Sequence, residues 1–432
     1  MNKITLQIRC WIVCLLFITL AVSCRKDDLL DVPNPNVRQC NSYVDQFEAI
    51  WQGIDHSYVL WARDTVDWDA RYRKFRPVFE SFDARRATNP VDSAEYHQAW
   101  KDLTKGLLDH HMALFLWNPD GKYKCKVTPA SNNYHHTTDV EAQLNILQNQ
   151  PGVTHFVSSY AASNARVKSA FCLLPGRTAG KYIAYFRFSE FDLRSISPDS
   201  TFANKEFIVA PFKAFYGDNY ASGVTNGYAA NEDVESIIID VRANPGGNVS
   251  DLDALFGGLI QQDQQFGYTR YKAGMGRLDY SGWVPLVMYR AKNYLSKPKP
   301  IVVLSDINSA SCAEIFTQSI KTLPNGTFIG ERTFGATCAL VPKTDIAFDI
   351  FYTGCFGDYN TAPFERNSRP TNPSSFSFYV YSATYDAVTN DYSSLEGSGV
   401  KPDIEVLYST ESLRSGVDNQ LDAALKHLRN LQ

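Results

Sequence analysis

Two short apolar runs, each entering a turn of small residues and then a helical pattern, constrain this chain most. Ser236-Ile-Ile-Ile-Asp240-Val241 leads into Arg242-Ala-Asn-Pro-Gly246-Gly247-Asn248, and from Val249 to Gln261 the residues Leu252, Leu255, Phe256 and Leu259 recur at helical spacing. Pro300-Ile-Val-Val-Leu-Ser305 leads into Asn308-Ser309-Ala310-Ser311-Cys312, followed by Ile315, Phe316, Ile320 and Leu323 at the same spacing. A continuous apolar strand must be covered on both faces. Strands that alternate with helices give a parallel sheet, so the expected class is α/β.

Both turns suit chemistry. A hydroxyl on a tight strand-to-helix joint is held rigidly, with the first free N–H groups of the helix beside it. Ser309 or Ser311 is therefore either a helix cap or a nucleophile with a ready oxyanion donor. The glycines after the first strand form a tight turn, a phosphate cradle or an oxyanion loop. Neither GxGxxG nor GxxxxGK[ST] occurs, which disfavours the phosphate reading. An oxyanion hole would combine an N–H of the glycine loop with that of Cys312.

Upstream, Phe47, Ile50, Trp51, Ile54, Tyr58 and Trp61 fall on one helical face. A second helix is expected from Trp68 to Arg76, ended or kinked by Pro77, and a third capped by Ser93. These make a small helical domain over 41–115. At its end Leu108-Asp109-His110-His111 precedes an alternating run, Met112, Leu114 and Leu116. Residues 116–180 read as an irregular connecting segment, and 181–432 as the α/β core, closed by a helix from Asp418 to Leu428.

Formal net charge is −4 with no block of Lys or Arg, so nucleic acid is not an expected partner. The cysteines show no CxxC or Cys/His metal spacing, and neither a metal nor a cofactor is expected. Lys3 and Arg9 precede an apolar run, Trp11–Val22, too short to span a bilayer comfortably. Ala21-Val22-Ser23-Cys24 resembles the bacterial lipobox, which implies a signal peptide over 1–23 and lipidation of Cys24. Arg25-Lys26-Asp27-Asp28 resembles the signal that sends Bacteroidetes lipoproteins to the outer face of the outer membrane. Residues 24–40, with Pro33 and Pro35, then serve as a tether.

Four stretches in order resemble the S41 serine peptidases, the family of the C-terminal processing peptidases and the tricorn core. They are Asp240–Gly247, Ser309–Glu314, Gly330-Glu-Arg-Thr-Phe-Gly335 and Glu396-Gly-Ser-Gly-Val-Lys-Pro-Asp403. The resemblance implies a ClpP/crotonase-like core, a peptide or protein substrate, and Ser311 as nucleophile. It places the oxyanion donors at Gly246 or Gly247 and at Cys312. Processing peptidases carry a Lys after Phe-Gly, where this chain has Ala336. Tricorn-like members use a His from the N-terminal junction and a Glu near the C-terminal end, which match His111 and Glu396. His110 stands where the family has Gly. The 116–180 segment lacks the strand series of the PDZ domain found in processing peptidases. The rival expectations are a peptide-binding protein whose catalysis has lapsed, and an esterase or transacylase using the same triad.

Overall fold

The computed structural model describes residues 42–431 apart from 113, 131–135, 160–168, 193–204, 221–222, 250, 271–275, 341–378 and 387–390. The signal, lipobox and tether, most of the aromatic strands expected between Ile346 and Tyr385, and the loop at 360–373 lie outside the described residues. Among the described residues no helix is long and apolar enough to cross a membrane.

The chain begins with three helices, α1 (Tyr43–Ser57), α2 (Trp68–Arg85) and α3 (Ser93–Thr104). Each start is capped: the Ser42, Asp67 and Asp92 side chains accept N–H groups three residues on. The cap of α3 is thus Asp92 rather than Ser93. Tyr58 and Trp61 lie beyond the end of α1 but are still buried. Pro77 does not end α2. Its missing bond costs about 3 kcal/mol. Burial of Phe75, Phe79 and Phe82 around it, worth about 1.5–3 kcal/mol each, outweighs that. Trp51 and Trp68 stack and donate their indole N–H groups to each other's carbonyl oxygens. A hairpin of β1 (Leu114–Trp117) and β2 (Lys124–Val127) shares this core through Leu114, Leu116 and Val127.

The stretch 116–180 is not irregular. After the hairpin come α4 (Val140–Gln148), β3 (Thr154–Ser159) and β4 (Ser169–Pro175). Both strands join the main sheet: β4 runs antiparallel beside β5 (Tyr182–Phe188), and β3 antiparallel beside β4 at the edge. Then follow α5 (Lys205–Tyr216), β6 (Val234–Asp240), α6 (Asp251–Phe256), β7 (Gln264–Arg270), β8 (Val284–Met288) and β9 (Ile301–Ser305). After these come α7 (Cys312–Lys321), β10 (Gly326–Gly330), β11 (Ala339–Leu340), β12 (Tyr379–Asp386), β13 (Asp391–Ser394), β14 (Ile404–Glu405), α8 (Thr410–Arg414) and α9 (Asn419–Arg429).

The main sheet runs β14-β10-β9-β6-β5-β4-β3, parallel from β14 to β5. Ile237, Ile239, Ile301 and Val303 face one core with α5, α6 and α7, while Ile238, Val302 and Leu304 face another with α4 and α9. This two-sided burial is why β6 and β9 are continuous apolar runs. A second sheet, β11-β12-β7-β8 with β13 on β12, stands apart. The fold is therefore α/β with a helical N-terminal unit. The turns after β6, β9 and β10 all open at the carboxyl ends of parallel strands, where open α/β sheets place their ligands.

Candidate active site

The two serines of the second turn differ in what their hydroxyls do. Ser309 is fully buried; its Oγ donates to Val241 O at 2.8 Å and accepts from Asp306 N at 3.0 Å. Asp306 also accepts the N–H groups of Ala243 and Asn308, so Ser309 braces the two turns against each other. Ser311 is half-buried and sits just before α7 with φ 55° and ψ −121°. A non-glycine residue held there costs about 1–3 kcal/mol.

The glycine loop lies flush against this serine. A Cβ added to Gly246 would fall 2.6 Å from Ser311 Cβ and 2.7 Å from Cys312 N, and one on Gly247 would fall 2.1 Å from Phe191 O. Both glycines have positive φ, 96° and 140°. The expectation of a donor at Gly246 is corrected: its N–H is turned onto Asn244 Oδ1 at 2.9 Å. Among the described residues the N–H groups of Gly247 and Cys312 have no partner. At its root the loop is pinned by a buried charge network. Asp240 accepts from Arg187 at 3.0 Å and Arg242 at 2.6 Å, and Arg242 reaches Asp418, the cap of α9. Burial alone would raise the pKa of Asp240, but the two guanidiniums hold it down at about 2.

The helical unit delivers the histidines. Asp109 Oδ1 accepts the N–H groups of His111 and Met112, which fixes the turn at the junction. Glu396 is fully buried and meets it from the C-terminal side. Its Oε1 accepts the His110 N–H at 2.9 Å and stands 3.5 Å from His110 Nδ1, while its Oε2 accepts Thr337 N and Cys338 N at 2.6 and 2.7 Å. Burial pushes its pKa up, but the His110 ring, the nearby His111 and these N–H bonds outweigh that and leave it below the ordinary range. His111 is lowered, first by burial and then by His110, against the opposing pull of Glu396. Its Nδ1 is buried with no hydrogen-bond partner among the described residues.

Ser311, Gly247 and Cys312 thus form one wall, and His110, His111 and Glu396 form a second. Glu396 was expected on His111; its direct contact is with His110, because the His110 amide points at the carboxylate. Among the described residues neither imidazole is hydrogen-bonded to the Ser311 hydroxyl. Ala336 is buried, and its N–H donates to Glu314 Oε2 at 2.7 Å. Glu314 and the Asp240–Arg242–Asp418 network are two further parts of this region that sequence reasoning misses. The Ser-x-x-Glu spacing of a capping box, here Ser311 to Glu314, was the signal for the first. The network joins residues 176 apart and left no local signal.

The profile of peptidase family S41 matches residues 183–344. The tricorn protease of Thermoplasma acidophilum is 27% identical over 202 residues, 45% of this chain and 15% of that one. The carboxy-terminal processing protease CtpB of Bacillus subtilis is 26% identical over 104 residues, 24% of this chain and 20% of that one. The chain therefore spans a fifth or less of the length of these curated relatives. Two solved structures share the fold: a putative peptidase from Parabacteroides merdae, with TM-score 0.53 and 20% identity, covering 90% of this chain and 96% of that one; and mature CPAF complexed with lactacystin, with TM-score 0.52 and 11% identity, covering 90% and 98%.

Proposed function

We propose that this chain, whose core belongs to peptidase family S41, is a serine endopeptidase acting through an acyl-enzyme on Ser311. The observation that carries the reading is the strained Ser311 with the unpartnered N–H groups of Cys312 and the adjoining glycine loop beside it. In this reading Ser311 Oγ attacks the scissile carbonyl, and the Gly247 and Cys312 N–H groups hold the oxyanion. His111 takes the serine proton and returns it to the leaving amine. Its lowered pKa keeps the ring neutral, as a base must be, through neutral pH. Glu396 stays ionised and stabilises the imidazolium that forms, acting partly through His110. Substrate binding must close the remaining gap between ring and hydroxyl; catalytic hydrogen bonds commonly tighten only in the complex.

The substrate is proposed to be an extended segment of peptide or unfolded protein. Anchoring through a lipidated Cys24 at the outer face of a bacterial outer membrane is part of the same proposal. Cys24→Ala should release the chain from the membrane fraction and abolish incorporation of a palmitate analogue.

Hydrolysis of an unfolded protein by the wild-type chain, Ser311→Ala and His111→Ala tests the mechanism. Each substitution should lower kcat on the order of 10²–10⁴-fold. One observation favours a second reading, a peptide-binding protein without catalysis: buried Ala336 occupies the place of the processing-peptidase lysine. That reading requires Ser311→Ala to leave biological activity intact.

A further inference from the structure

Residues 335–338 give their four consecutive backbone N–H groups to two buried carboxylates. Gly335 N and Ala336 N donate to Glu314 Oε1 and Oε2, both at 2.7 Å, and Thr337 N and Cys338 N donate to Glu396 Oε2. Glu314 also accepts the Ser311 N–H on Oε2 at 3.0 Å and the Thr333 hydroxyl on Oε1 at 2.6 Å. We propose that Glu314 is a positioning residue for the nucleophile: it clamps the Ser311 amide and, with Glu396, makes the 335–338 strap a single brace between the serine wall and the histidine wall. The inference rests on the peptidase reading and extends it to how the nucleophile is held.

An ionised carboxylate only accepts, with about four lone-pair sites, and here four donors fill them. The clamp acts on the one residue of this turn whose backbone is strained, and it holds that residue by its own N–H. The strap carries Ala336 at its second position, so the loop that holds a lysine in Ser–Lys relatives here serves as backbone scaffolding. Protonation would add a donor where every neighbour already donates. Thr333 Oγ1, which already accepts from Val400 N, accepts a hydrogen bond from the protonated carboxyl only by giving up its own donation to Glu314.

The charged groups facing this clamp are few. Glu396 lies across the strap, with His110 and His111 beyond it. Arg332, on the same loop, points its guanidinium at Ser398 O instead. Glu314 makes no ion pair among the described residues. Burial, with the like charge of Glu396 added and the hydrogen bonds opposing, pushes its carboxyl up to about 7. The clamp is therefore complete above that pH and loosens below it.

The test is the rate of Ser311 labelling by a serine-directed fluorophosphonate against pH, in the full chain, for wild type, Glu314→Gln and Glu314→Asp, with peptide KM and melting temperature measured alongside. The wild-type rate should fall through two ionisations, one near 7 from Glu314 and one lower from His111. Glu314→Gln should label on the order of 10²-fold more slowly, with KM little changed and only the lower ionisation left; Glu314→Asp should fall between. A folded Glu314→Gln chain with the wild-type rate and profile overturns the inference. If that variant does not fold, Glu314→Asp decides, and a folded Glu314→Asp chain with the wild-type rate and profile overturns it. A wild-type chain that is never labelled, at any pH, overturns the peptidase reading first and this inference with it.

Discussion

At the scale of single residues, the two serines show what a sequence can and cannot reveal. Ser309 and Ser311 stand two apart in one motif, and composition cannot separate them. The family resemblance selects Ser311, but what each hydroxyl bonds is seen only in three dimensions: Ser309 is held by Val241 O, Asp306 N and the Asp306 carboxylate. Asp240 is a similar case. The motif includes it but does not show its partners, and it is the centre of a buried network with Arg187, Arg242 and Tyr185. Removing one member of a buried charge set strands the others, at a cost of about 3–5 kcal/mol. Asp240→Asn should lose that much in urea unfolding at pH 7. The folded pKa lies below the ordinary 3.8, so the contribution is complete above that value and fades as pH falls toward 2. The difference between wild type and variant should shrink over that window. A constant difference would mean that packing, rather than charge, sets the cost.

At the scale of elements, strands buried on both faces were legible, and elements ended by tertiary contacts were not. β6 and β9 read correctly because a run such as Ile237-Ile-Ile239 has no other stable place. α6 was expected to continue to Gln261 but stops at Phe256, because the carbonyls of Gly257 and Gly258 accept from Ala291 and Leu295 instead. β3 was missed because it is an edge strand with mixed exposure. The glycine loop was legible as a special backbone, but not which of its amides faces inward. Gly247→Ala puts a Cβ where Phe191 O now sits, on a backbone at φ 140°. It should destabilise the fold by about 1–3 kcal/mol, and losing the donor geometry should slow fluorophosphonate labelling on the order of 10²-fold. A variant labelled at the wild-type rate would remove Gly247 from the oxyanion site.

At the scale of the whole molecule, the proposed site draws on both the helical unit and the α/β core. The core supplies Ser311, the glycine loop and Glu396, and the helical unit supplies His110 and His111. The two are tied by Arg63, whose guanidinium donates to Glu396 O at 3.1 Å, and by Arg277. Arg277 leaves the core between β7 and β8 to pair with Asp55 and Asp69 and to lie over Trp61. Arg277→Ala should therefore lower kcat several-fold while leaving the core's melting transition in place. An unchanged kcat would show that the histidines are seated without it. The family motifs made the core's share legible. The tie through Arg277 was not, because it joins residues 222 and 208 apart in an unremarked loop.

That Ser311 is the nucleophile that becomes acylated is tested most directly by incubating the chain with a fluorophosphonate and mapping the adduct by mass spectrometry of its peptides. One equivalent should be found on Ser311, with hydrolysis of an unfolded protein lost in step and no adduct on Ser309. Hydrolysis that survives in Ser311→Ala, or an active wild-type chain whose adduct maps elsewhere, would contradict it.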